Sequence, residues 1–131
     1  MKILDEYMEE MEADTKLDVF TAQTVQSKLP AIKHKWVGRL IRHKQTVIEL
    51  EASLKTKKST LLKQVKDEAP YKVSSPVAAK AIEDQPSVID IRNKIAEQKL
   101  IISFLEKVER IFSSMTFDIK NLTEIMKLET M

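Results

Sequence analysis

Between Ile101 and Met126 the apolar residues of this 131-residue chain recur at alternating steps of four and three: Ile101, Leu105, Val108, Phe112, Met115, Ile119, Leu122 and Met126. That stepping holds one stripe on one side of an α-helix for about seven turns, and the two-residue period of a strand cannot produce it. A second stripe runs through Val25, Leu29, Ile32, Trp36, Leu40, His43, Val47, Leu50 and Leu54. A third, shorter one joins Ile3, Leu4, Tyr7, Met8 and Met11. The expected fold is all-α: a short N-terminal helix and two long antiparallel helices forming a helical hairpin. One domain is expected over 1–131. It divides into an acidic N-terminal helix and turn at 1–20, a long basic helix at 21–66, a proline-containing connection at 67–87 and a C-terminal helix at 88–130.

Two prolines test the helix boundaries. Pro30 falls near the start of the second stripe. Either the helix begins with Ser27 as N-cap, so that Pro30 sits in the first turn where N–H groups lack partners anyway, or the helix kinks there. Ser75-Pro76, ahead of Val77 to Glu83, suits a two-turn helix with Ser75 as N-cap and Pro76 at its first position.

Composition removes whole classes of chemistry. Gly38 is the one glycine, so no phosphate-cradling loop, dinucleotide fingerprint or nucleophile elbow can be built. With no Cys, there is no thiolate zinc site and no thiol nucleophile. His34 and His43 are nine residues apart, a poor match to a two-His metal site on one helix. No enzyme, no metal and no cofactor is expected. No apolar run approaches the length of a membrane span, and no secretory signal opens the chain.

Charge is sorted into blocks. Residues 1–27 carry two lysines against seven carboxylates, a net of −5. Residues 28–66 carry eleven Lys/Arg against Glu49 and Glu51, a net of +9. Residues 67–131 come to −2. A block of +9 suits an anionic polymer, because cations on a phosphate backbone release its counterions whatever its sequence. The candidate DNA-binding residues are Lys33, Lys35, Arg39, Arg42, Lys44, Lys55, Lys57, Lys58, Lys63 and Lys66. A solvated face is the plain alternative for any lysine cluster. Trp36 suits packing on its stripe better than stacking on an unpaired base, and Tyr71 in the connection is freer to stack. His43 suits a core or interface position better than a ligand or base. The acidic N-terminal helix is a solvated cap, a mask over the basic block or a docking element for a basic partner.

The last helix also carries Ile91, Ile95, Ile102, Phe104, Ile111 and Ile125. This arc is wider than a two-helix seam needs. At about 25 cal/mol per Å² its exposure drives association. A homo-oligomer is therefore expected, with Ile101, Leu105, Val108, Phe112, Met115, Ile119, Leu122 and Met126 as its interface.

Some segments are similar to a known family. Lys35-Trp36, the Leu50-Glu51-Ala52 helix running into a lysine cluster, Phe104-Leu105-Glu106 and the run Met115-Thr116-Phe117-Asp118-Ile119-Lys120-Asn121-Leu122 resemble the UvsY family of phage recombination mediators. The resemblance implies a ring-like oligomer, a hexamer or heptamer, that binds single-stranded DNA. It implies partners: a RecA-like phage recombinase, and a phage single-strand-binding protein whose coated DNA the recombinase must enter. It implies work in homologous recombination, repair and recombination-dependent replication, without ATP hydrolysis, in the host-cell cytoplasm. The family's basic motif at the end of the long helix maps to Lys55, Lys57 and Lys58. The rival from another class is a structural coiled-coil adaptor or virion assembly protein that does not bind nucleic acid. A basic helix docking on anionic membrane is a weaker rival, for want of bulky anchors on its polar face.

Overall fold

The computed structural model describes residues 1–17, 21–69, 72 and 74–130, and every regular element among them is an α-helix. The order is α1 (Lys2–Asp14), α2 (Ala22–Glu68), α3 (Ser75–Glu83) and α4 (Pro86–Thr130). The all-helical expectation holds, with both long helices within two residues of their anticipated ends. Tyr71 lies outside the described residues.

The start of α2 differs from the first alternative for Pro30. The helix already begins at Ala22, which puts Pro30 inside it, in the third turn. Ser27 is no cap: its hydroxyl donates to the Thr24 carbonyl at 3.0 Å, a back-bond within the helix. Pro30 offers no N–H to the Gln26 carbonyl, and its ring is exposed while neighbouring Leu29 is buried. The two-turn helix in the connection is present as α3. Ser74 rather than Ser75 is its N-cap, with the extended φ −69°, ψ 152° that suits a residue just outside a helix, so Pro76 falls one position later than expected. Pro86 opens α4, and the Gln85 carbonyl accepts the N–H groups of Val88 and Ile89, both at 3.0 Å.

Two compact units divide the chain, and α2 and α4 each contribute to both. The first holds Met1–Arg42 and Ile101–Met131. Its core is Met11 from α1, Leu29, Trp36 and Leu40 from α2, and Ile101, Leu105, Val108, Phe112, Met115 and Ile119 from α4. The Lys33–Thr116 bond and the Trp36–Phe104 contact show α2 and α4 running antiparallel here. The second unit is His43–Leu100. Its buried apolar residues are Val47 on α2, Ala78 and Ile82 on α3, and Val88 and Ile95 on α4. Ala78 and Ile82 are one turn apart, which puts them on one face of α3.

The heptad stripe of α4 corrects one expectation. Ile101, Leu105, Val108, Phe112, Met115 and Ile119 are each 3% exposed or less within a single chain. They pack against α1 and α2 of the same molecule. Only Leu122 and Met126, further along the stripe, stay partly open. The surface left apolar on this part of α4 lies beside the stripe, at Ile111, Phe117, Ile125 and Leu128.

Candidate nucleic-acid interface

In the first unit two cations of α2, Lys35 and Arg39, are held by α1. On α1, Glu10 and Asp14 are one turn apart and project from one side; on α2, Lys35 and Arg39 have the same spacing. The two pairs meet. Lys35 Nζ donates to Glu10 Oε1 at 3.2 Å and to Asp14 Oδ2 at 2.6 Å. Arg39 grips both Glu10 oxygens, Nη1 on Oε2 and Nη2 on Oε1, the latter at 3.2 Å. The indole N–H of Trp36 donates to Asp14 Oδ2 at 2.9 Å. Asp14 closes α1 at its negative dipole end, so these donors offset an unfavourable placement.

Trp36 is at the centre of this contact. It is 3% exposed and lies edge-on to Tyr7 (centroids 5.6 Å apart) and Phe104 (6.5 Å). The Arg39 guanidinium carbon sits 4.7 Å from its ring centroid and 4.8 Å from that of Tyr7. Trp36 is thus a packed residue with its polar edge satisfied and no face open to a nucleobase.

Arg39, by hydrogen-bonding Glu10, holds that carboxyl below the usual carboxylate range; partial burial opposes this, and Lys35 adds to it. Glu10 in turn pushes the Arg39 pKa up. A depressed folded-state pKa contributes stability above the unfolded-state value, and that stability is lost as pH falls through the folded value. The Glu10 side chain is 37% exposed, so solvent screening keeps the contribution to about 1 kcal/mol or less. The melting temperature should therefore drop between about pH 5 and pH 3, and drop less in Glu10→Gln, which has no proton to gain. Parallel acid melts of the two proteins check this; superimposed pH profiles would show that the ion pair contributes nothing.

In the second unit the lysines of α2 are arranged along the helix. Lys44, Lys55 and Lys66 follow one another at eleven-residue intervals along α2. Eleven residues make about three turns, so the three stand in a straight row about 16 Å apart. Lys58 and Lys63 flank the row, and Lys57 points from the far side. Among the described residues Lys55, Lys57 and Lys63 have no ion-pair partner. Lys66 donates to Ser75 Oγ at 3.0 Å. Lys58 meets Glu83 at 3.4 Å, and the other oxygen of Glu83 binds Arg92 of α4. His43 is half-buried and bonded to Gln98 at 2.6 Å, a structural role.

The ten sequence candidates thus separate. Lys35 and Arg39 are held by α1, and Lys33 donates to Thr116 at 3.2 Å. Arg42 is exposed and lies in the first unit. The other six belong to the second unit, whose sequence carries a net +3 against −1 for the first. Charge blocks in the sequence left α1 as a cap, a mask or a docking element, without indicating which cations it meets. Glu83 and Arg92, remote from the basic block, gave no sequence signal beyond that of a solvated charge. Among the described residues no three His, Asp or Glu side chains gather to hold a metal, and no helix is long and apolar enough to cross a membrane.

Comparison with known proteins agrees with this architecture. No curated protein sequence matches the chain. Two crystal structures of the bacteriophage T4 recombination mediator protein UvsY, in different lattice types, are similar to it in fold. One has a TM-score of 0.82 at 15% identity, covering 95% of this chain and 97% of that one. The other has a TM-score of 0.78 at 14% identity, covering 97% of each. The family model described as "Recombination, repair and ssDNA binding protein UvsY" matches residues 10–130, nearly the whole molecule, and the chain therefore belongs to the UvsY family.

Proposed function

We propose that this protein is a recombination mediator, not an enzyme, that binds single-stranded DNA as an oligomer and promotes loading of a RecA-like phage recombinase onto DNA coated by single-strand-binding protein, in the host-cell cytoplasm. The observation that carries the proposal is the segregation of charge. Carboxylates of α1 pair with Lys35 and Arg39 of the first unit, while the second unit keeps a row of lysines on one face of α2. A row of lysines without a reading head grips phosphates and ignores base identity, as a mediator requires.

One protomer offers few contacts, so binding would be weak. A ring of six or seven copies repeats the row, and each contact after the first becomes intramolecular. Association is assigned to α4, through the apolar surface still open after the core is filled: Leu122 and Met126 of the original stripe, with Ile111 and Ile125 beside it. Residues 1–131 are taken as one domain, because both long helices run through both units. Strand wrapping would alter the geometry that a single-strand-binding protein prefers and open a place for the recombinase to nucleate.

The test is a salt titration of binding to an unstructured oligonucleotide. Each neutralised phosphate contributes about −0.7 to the slope of log K against log salt. Lys55→Ala with Lys63→Ala should flatten the slope by about 1.4 per protomer and weaken binding alike on every sequence. A wild-type protein that leaves the oligonucleotide free at low salt would support the structural-adaptor reading instead.

A further inference from the structure

Building on the reading of the second unit as a single-strand surface, we propose that Arg92 is a further phosphate-binding residue, paired with Lys58. Glu83 is the carboxylate that occupies their shared phosphate position when no strand is bound.

Three helices converge on this point: Lys58 from α2, Glu83 at the last position of α3, and Arg92 from the second turn of α4. The two Glu83 oxygens diverge, Oε1 to Lys58 at 3.4 Å and Oε2 to Arg92. A phosphodiester presents the same pattern, two anionic oxygens that two separate donors can take. The side chains of Lys58, Glu83 and Arg92 are 33%, 38% and 43% exposed, so a strand can reach all three. Exposed ion pairs of this kind are weak, about 0–1 kcal/mol each. Two cations around one carboxylate also leave an unneutralised positive charge at the site.

The position of α3 fits an exchange of one anion for another. Lys66 bonds Ser75 at one end of α3, and Lys58 bonds Glu83 at the other. Both lysines belong to the basic side of α2, so α3 lies against the surface the strand would follow. An incoming phosphate takes the donors of Lys58 and Arg92, and the Glu83 carboxylate turns to water. Nothing is consumed, and removal of the strand restores the bridge.

The experiment is a fluorescence-anisotropy titration of a short unstructured DNA oligonucleotide over a series of salt concentrations, using full-length chains. Glu83→Gln should bind roughly two- to five-fold more tightly at low salt and keep the wild-type slope, because the same phosphate is neutralised with or without the carboxylate. Arg92→Gln should flatten the slope by about 0.7 per protomer, and Arg92→Lys should keep the wild-type slope. Asp90→Asn removes a carboxylate from the helix that carries Arg92, but one paired with Lys94; it should leave the affinity near that of wild type. Thermal melts by circular dichroism establish that each variant is folded, and Arg92→Lys separates lost charge from lost packing. An Arg92→Gln slope equal to wild type or a Glu83→Gln affinity equal to wild type overturns the assignment, as does an Asp90→Asn gain in affinity equal to that of Glu83→Gln. If the wild type itself does not bind, the mediator reading fails and this assignment with it. If the wild type binds while Arg92→Gln matches it, the assignment alone fails.

Discussion

Trp36→Ala should lower the unfolding free energy by about 3–5 kcal/mol, the range for truncating a large buried aromatic. Three helices meet on this ring. Tyr7 of α1 and Phe104 of α4 lie edge-on to it, and Arg39 of α2 covers a face. Alanine leaves a cavity that those neighbours cannot fill without moving. It also takes one of the two donors from Asp14, leaving Lys35 alone there. Urea denaturation followed by helical circular dichroism measures the loss. Trp36→Phe keeps most of the ring and removes only the N–H, so its cost should be about 1–2 kcal/mol. A Trp36→Ala protein of wild-type stability with weakened DNA binding would mean that the indole stacks on bases after all.

Ile111→Asp combined with Ile125→Asp should leave the protomer folded but reduce its mass in solution to that of a single copy. The two side chains are 44% and 46% exposed in one chain, so the charges stay hydrated there. In an assembly sealed by this surface they would be buried without partners, at a cost of several kcal/mol each. Ile111 and Ile125 are two heptads apart, and Leu122 falls within the same arc of roughly 60°. Losing the assembly should cost about 10²-fold or more in apparent affinity for a long single strand, because avidity disappears while each lysine remains. Sedimentation velocity and a gel shift report the two effects separately. Leu105→Asp provides the contrast: at 2% exposure it should unfold the chain itself. A double variant that sediments like wild type would move the association surface elsewhere.

The contrast between Leu105 and Ile111 shows where sequence reading stops. Apolar stepping by three and four specifies a helix and the side it buries. It does not specify whether the covering partner is another helix of the same chain or another copy, since both present the same kind of surface. So α4 was legible almost to its ends, whereas the stripe from Ile101 to Ile119 lies inside the protomer. The helix in the connection was legible for a local reason, the Ser-Pro pair, and only its register moved by one. Ser27 was misleading because a cap signal is a local preference of about 1 kcal/mol, which packing of Leu29 and its neighbours can override. The charge blocks showed that α1 and α2 are complementary. They did not show that Glu10 and Asp14 select Lys35 and Arg39, because that depends on where α1 docks. Glu83 and Arg92 were invisible for the same reason: they reach Lys58 only after the chain has turned back through α3.

The straight file of Lys44, Lys55 and Lys66 bears on the shape of the polymer it can serve. A peptide rod fixes the interval between its ammonium groups, whereas the phosphates of a rigid duplex wind away from any straight line within half a turn. A lone strand has free torsions in every nucleotide and can be laid along the rod until its charges fall into step. If these lysines hold the strand as proposed, a preference for unpaired DNA would arise from compliance alone, with no base being recognised.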